Sequence, residues 1–225
     1  KLRACPSCAS AVVVYGSQHI EGPLKQSIFD DYGIEDQGQI IEAIGALERQ
    51  AARQADLTLA VTGEDLQALK DWGARRTVLA PNGIEPWKAD EAALARWRER
   101  LPRFPWLLYV ASAHPPNFTK FTDMLGESLA CLPPTSRLVV AGSVSEHIYR
   151  VMSATKWSHL NSSRVQRLFT LPDADLAAVK SLAHGFVLPI PYGGGSNIKT
   201  AEALYSGAYV VGTRAAFRGY EDFLD

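Results

Sequence analysis

The sequence lacks several features that would have sorted it quickly. It has no excess of charge: 23 Lys and Arg stand against 24 Asp and Glu, a net charge of -1. The basic residues are scattered in short clusters such as Arg75-Arg76 and Arg96 to Arg100, which argues against a nucleic-acid-binding face. No apolar run approaches the ~20 residues that a membrane span requires. No signal peptide is visible, and Lys1 rather than Met opens the chain, so it reads as processed or excised from something longer. There is no internal repeat and no low-complexity stretch.

Cysteine is also scarce, with only Cys5, Cys8 and Cys131. Cys5-Pro6-Ser7-Cys8 has C-x-x-C spacing, but no second pair of ligands follows to complete a zinc site. A redox motif should open a helix after a strand, and this one precedes the first expected strand. The cysteines therefore read as incidental thiols of a reducing compartment. Asp-x-Asp occurs at Asp173-Ala174-Asp175, where it starts a helix and reads as a cap rather than a metal loop.

What is present is ordinary globular composition, 47% hydrophobic and 21% charged in 225 residues. Short apolar runs alternate with helical patterns. Residues 11–15 read as a buried parallel strand, followed by a loop over 16–23 that carries His19 and Glu21. A lone loop histidine such as His19 is more often just a polar surface residue. Residues 39–54 form a helix, with Ile40, Ile41, Ile44, Leu47 and Ala51 on its apolar face and Glu42, Glu48, Arg49 and Arg53 elsewhere. Strands are expected at 56–61 and 76–80, with a helix from Thr62 to about Lys70 between them.

Composition shifts near Ile84 to Pro86, and a domain boundary is placed there. Beyond it an amphipathic helix spans 89–100. Strands follow at 106–110, 137–141, 165–169, 186–190 and 209–213, with helices at 118–131, 145–153 and 173–183. Regular alternation of this kind predicts α/β architecture with parallel sheets, in two Rossmann-like units.

One stretch stands out chemically. Gly193-Gly194-Gly195-Ser196-Asn197-Ile198-Lys199 runs from a strand into a short helix that closes at Gly207. Ser196 suits the N-cap and Gly207 the C′ position. Lys199 falls in the first helical turn, where the dipole prefers acids. Three glycines, bare amides and a misplaced lysine point to a bound anion, most simply a phosphate. Glu202, one turn on, is an acceptor suited to ribose hydroxyls. The plain alternative is a glycine turn with a solvated Lys199–Glu202 pair.

The order of these pieces resembles the family 4 glycosyltransferases of the GT-B fold. Ala55 to Thr62 is similar to the family's AD-hydrophobic-S strand, and Val78 to Ile84 to its PNG crossover. Leu108 to Ser112 through Asn117 is similar to the first donor-domain strand and loop. Gly193 to Lys199 with Glu202-Ala203-Leu204 is similar to the GGG-S/T-x-x-K-x-x-E-A donor site. The resemblance implies a GT-B-type α/β fold. Residues 1–85 would be the C-terminal part of an acceptor-side Rossmann-like domain. Residues 86–225 would be a nucleotide-sugar donor-binding domain, truncated at its C-terminus.

The same resemblance assigns roles. Glu202 would hold the donor ribose. Lys199 and the amides after Gly194, within Gly193, Gly194, Gly195, Ser196 and Asn197, would meet the diphosphate. Thr170 and Leu171 would cup the nucleobase, Ser112 and Asn117 would line the first donor-domain loop, and His19 would reach the reacting sugar. Two departures stand against it. Gly194 occupies the position where many relatives carry an earlier glutamate, and the loop from His114 to Lys120 has no arginine. The implied activity is transfer of a sugar from a UDP- or GDP-sugar to an unknown saccharide, lipid-linked or other acceptor, without a metal or other cofactor. Retention is expected, because the family commonly retains configuration.

The implied setting is bacterial polysaccharide biosynthesis in the cytoplasm, with peripheral contact at the inner membrane face left open. A non-catalytic nucleotide-sugar-binding module and a nucleotide-sugar epimerase of the same fold are the alternatives. Two complete Rossmann-type domains need roughly 300 residues. A fragment or truncated homologue is therefore expected, binding a nucleotide sugar better than it catalyses transfer.

Overall fold

A computed structural model of the chain describes residues 10–224. The Cys5–Cys8 spacing lies outside the described residues. Cys131 is a free, exposed thiol. Two compact units divide the chain. The first comprises, among the described residues, 10–82 together with 192–197 and 217–224. The second comprises 83–191 and 198–216.

The first unit begins with β1 (Val14–Ser17), α1 (Glu21–Asp31) and α2 (Gly38–Gln54). It continues with β2 (Leu57–Ala60), α3 (Gly63–Asp71) and β3 (Thr77–Leu79). The strands form a parallel sheet in the order β1-β2-β3. Asp56 fixes the start of the β1–β2 register, its carboxylate accepting from the Val13 amide at 2.9 Å. Thr62 caps α3 by accepting from Asp65 N–H, as Thr-x-x-Asp before an apolar run suggests. The core is small: Ile20, Ala52, Ala60 and Leu69, flanked by Tyr15, Leu66 and Trp72.

Three expectations for this unit need correction. The first strand starts later than residue 11 and is not buried, since Val12 and Val14 are exposed. Continuous β-branched runs signal a strand without saying what covers it. The loop expected over 16–23 ends at Ile20, where α1 begins; Gly22 and Pro23 fall in its first turn, where proline is tolerated.

The inner face of α2 was also misjudged. Ile40 and Leu47 are exposed, while Gly45, Glu48 and Ala52 are buried. Glu48 is buried because α1 has no side-chain cap of its own. The Glu48 carboxylate accepts from the amides of Glu21 at 2.8 Å and Gly22 at 3.3 Å, capping α1 from a neighbouring helix. Glu48→Ala should therefore cost about 1–2 kcal/mol. In urea the unfolding midpoint should drop while the slope is unchanged.

The second unit contains α4 (Glu91–Arg100), β4 (Trp106–Val110), α5 (Pro115–Leu125), β5 (Arg137–Ala141) and α6 (Val144–Ser153). It then runs through α7 (Ser158–Arg164), β6 (Val165–Phe169), α8 (Asp173–Leu182), β7 (Gly185–Leu188), α9 (Ile198–Tyr205) and β8 (Tyr209–Gly212). Its parallel sheet has the order β6-β5-β4-β7-β8. The chain leaves β4 toward one edge and returns to β7 on the other side. The β4/β7 gap is therefore the topological switch point of a doubly wound sheet. β5 and β7, which flank the central β4, are the most buried strands, and Phe121, Leu129, Leu138, Val140 and Ile148 pack among the core side chains.

Here too some boundaries moved. α5 starts at Pro115 and stops at Leu125, and a separate 3-10 turn covers Leu129–Cys131. Gly126 and Ser128 end the expected long helix. α7 has no apolar periodicity in Ser158-His159-Leu160-Asn161-Ser162-Ser163-Arg164 and was missed. It is held from outside: the buried Asn161 amide accepts from Leu129 N–H and donates to the Glu127 and Met152 carbonyls. Asp173 is the first residue of α8 and makes no cap. Asp175 instead accepts from the Trp97 indole at 2.8 Å and from Arg96, tying α8 to α4, and these two bonds hold its carboxyl below the usual range.

Candidate functional site

In the second unit, four strand ends and one helix define a cleft of about 430 Å³. Its lining includes Ser112 after β4, Gly142 and Ser143 after β5, Thr170 after β6, Leu188 at the end of β7, and Lys199 and Glu202 on α9. This is the carboxyl edge of the sheet at its switch point, where open α/β folds bind ligands. Gly142 makes the cleft floor possible. It has φ +96°, and a Cβ there would stand 2.1 Å from the Ala111 carbonyl oxygen, so only glycine lets the β4 and β5 ends come this close.

Lys199 reaches into the cleft from the first turn of α9. Its ammonium donates to Asn117 Oδ1 at 3.1 Å. The Asn117 amide donates in turn to the Ser112 carbonyl at 2.9 Å and its hydroxyl at 3.3 Å. Asn117 lies in the first turn of α5 rather than in a loop, and Tyr109 braces it by donating to its carbonyl at 2.5 Å. Burial pushes the Tyr109 hydroxyl up and keeps it protonated as that donor. Burial also pulls the Lys199 ammonium down, and the Glu202 carboxylate pulls it partly back. An ammonium held partly out of water is a ready partner for an anion.

The solvated Lys199–Glu202 pair does not form. Glu202 Oε1 accepts from Lys180 at 2.8 Å instead, and the Lys180 side chain is only 9% exposed. Lys180 was missed because it is an ordinary last-turn lysine of α8 by sequence. Thr170 is exposed on the cleft wall. Leu171 follows it in the loop, half-buried, and is not among the residues lining the cleft.

The glycine loop belongs to the first unit, where His19 is also found. His19 Nε2 donates to Glu21 Oε1 at 2.8 Å. Gly194 lies directly against His19: a Cβ on it would be 2.4 Å from His19 Cβ. Gly195 has φ +63° and its α-carbon faces the Gln18 carbonyl. Asn82 donates to the Ser196 carbonyl at 3.4 Å. Arg218 clamps the loop by donating from Nη1 to the Gly193 carbonyl at 3.1 Å while Nη2 donates to the buried Asp65 at 2.6 Å. No motif announced Arg218; a polar residue near the C-terminus carries no such signal.

Ser196 does not cap α9. The helix opens at Ile198, and Ser196 Oγ is buried without a hydrogen-bond partner. Gly207 has φ +71° just past the helix, as expected of C′. Among the described residues no group of three or more His, Cys, Asp or Glu side chains could hold a metal ion, and no helix is long and apolar enough to cross a membrane.

The folds of solved structures place this architecture. The structure of Anabaena HepE in complex with UDP-glucose superposes with a TM-score of 0.65 at 18% identity, covering 97% of this chain and 57% of that one. Sucrose-phosphate synthase from Thermosynechococcus elongatus gives 0.64 at 19% identity, over 91% of this chain and 50% of that one. WaaG, a glycosyltransferase involved in lipopolysaccharide biosynthesis, gives 0.64 at 14% identity, over 93% and 58%.

The fold is that of the GT-B glycosyltransferases. The chain spans about half the length of these structures. No family model matches it, and no curated protein sequence matches it.

Proposed function

We propose that the chain is the donor-binding part of a nucleotide-sugar-dependent glycosyltransferase of the family 4 type. One observation carries the reading. Ser112, Thr170, Lys199 and Glu202, separated in sequence, line one cleft at the switch point, with Asn117 hydrogen-bonded to both Ser112 and Lys199. Lys199 and the N-terminus of α9 would bind the diphosphate of a UDP- or GDP-sugar, Glu202 its ribose, and the Thr170-Leu171 loop its base. HepE, whose structure contains UDP-glucose, lends the fold precedent for such a donor.

The chemistry follows from the charge. In transfer, the bond from the anomeric carbon to the β-phosphate oxygen breaks and that oxygen keeps the electron pair. The acceptor hydroxyl oxygen bonds the anomeric carbon and releases its proton. Lys199 in a partly dry cleft, aided by the helix dipole, would stabilise the departing diphosphate without a metal. His19 would serve the sugar, with the resemblance as its support, and anomeric configuration would be retained.

A panel of UDP-, GDP- and ADP-sugars tested by thermal shift, with and without EDTA, checks this reading. One donor is expected to raise the unfolding temperature by several degrees in both conditions. No shift with any donor overturns the reading. Binding with no transfer to any acceptor would favour a non-catalytic nucleotide-sugar-binding module.

A further inference from the structure

Glu202 has two neighbourhoods. It lines the cleft that holds Lys199, and it also lines a second cavity of about 420 Å³ with Trp87 and Lys180. In the second cavity the Lys180 ammonium sits 2.8 Å from Glu202 Oε1 and 4.8 Å from the centre of the Trp87 ring. Trp87 is held by an edge contact with Tyr205 at the end of α9, with ring centres 4.6 Å apart. Lys180 is thus fixed from two sides: a carboxylate from α9 and an aromatic face from the segment before α4.

This is not a surface ion pair. The Lys180 side chain is 9% exposed and Glu202 31%. Exposed pairs exchange rotamers freely, whereas one this enclosed has a single geometry. The pairing consumes Oε1 and leaves Oε2 as the oxygen for a ligand. It also offsets a negative charge that would otherwise oppose an anionic ligand on Lys199. Unpaired, Glu202 could turn toward Lys199, which lines the first cleft with it.

We propose that Lys180 is a positioning residue. It holds Glu202 so that Oε2 takes the donor ribose hydroxyls, and it thereby sets the preference for a nucleotide with an intact ribose. The proposal rests on the donor reading above and extends it to a residue that touches no substrate.

The test compares calorimetric affinities for UDP and 2′,3′-dideoxy-UDP, or for GDP and 2′,3′-dideoxy-GDP, whichever base binds more tightly. The unaltered chain should prefer the intact ribose by about tenfold, the worth of hydrogen bonds to a carboxylate. Lys180→Met should cut that ratio to about twofold, and adding Glu202→Gln to it should cut the ratio no further. Lys180→Arg, which keeps the charge, should hold the ratio within about threefold of the starting value. Trp87→Leu buries no unpaired carboxylate and serves if Lys180→Met fails to fold; it should lower the ratio about threefold.

An unchanged ratio in Lys180→Met, or in Trp87→Leu, overturns the proposal. Equal affinity of the unaltered chain for both nucleotides also overturns it, while leaving the donor reading intact. Binding of neither UDP nor GDP removes the donor reading itself.

Discussion

Lys199→Met is expected to weaken UDP binding by about 10- to 100-fold while leaving uridine within about twofold, as charge-assisted hydrogen bonds to phosphate predict. Uridine carries the base and ribose but none of the charge that Lys199 would meet. Among the described residues the ammonium's hydrogen-bond partner is the neutral Asn117 amide, at 3.1 Å, so a diphosphate would add a directly bonded counter-charge. Equal loss for UDP and uridine would show that the substitution damages the cleft and that Lys199 does not read the phosphate.

The same lysine makes a pH prediction with a definite sign. Burial lowers its pKa in the folded chain below the ordinary 10.5, so folding disfavours its charged form. That cost is fully present below the folded pKa. It is relieved as pH rises through the folded pKa toward 10.5, where the unfolded chain still holds the proton. A bound diphosphate raises the pKa back, so UDP binding near and above the folded pKa should take up protons. Calorimetry in buffers of different ionisation enthalpy measures that uptake, and Lys199→Met should abolish it.

The sequence carried the class of fold because alternation of apolar strands and helical patterns is a local signal, and parallel β/α order leaves few topologies. It singled out Lys199, which lines the cleft, because a lysine in a first turn contradicts the helix dipole, and a local contradiction is visible without a structure. Lys180 and Arg218 contradict nothing locally. Their contacts are with Glu202 and with the Gly193 carbonyl, residues distant in the chain. Glu48 was misread for the same reason: the demand it satisfies is the bare N-terminus of a different helix. Helical periodicity ranks side chains by polarity, whereas burial also follows unmet backbone donors. Asn117, named in advance, was legible as a residue but not as the link between Ser112 and Lys199.

The three glycines of the loop, alike in sequence, are expected to respond very differently to alanine. At Gly193 a Cβ meets nothing within 4 Å, and the φ needs no glycine. Gly193→Ala should be neutral or stabilise by about 0.5 kcal/mol through a less flexible unfolded chain. At Gly194 the conformation is equally ordinary, but the Cβ would stand 2.4 Å from His19 Cβ and 2.7 Å from its Cγ. These atoms are close to the backbone and cannot swing away, so Gly194→Ala should cost about 2 kcal/mol.

At Gly195 two demands coincide: φ is +63°, and the Cβ would be 1.9 Å from the Gln18 carbonyl oxygen. Gly195→Ala should cost roughly 3 kcal/mol or more, as strain and overlap add. Urea unfolding of the three variants gives the order directly. His19→Gly in the Gly194→Ala background should recover at least about 1 kcal/mol beyond additivity, because it removes the atom that Gly194 would strike. It should recover nothing for Gly195→Ala, whose obstacle is backbone. A glutamate at position 194 would bring its Cβ against the same His19 atoms. Gly194→Glu should destabilise at least as much as Gly194→Ala, and rescue of both by the same His19→Gly change would identify the histidine as the obstacle.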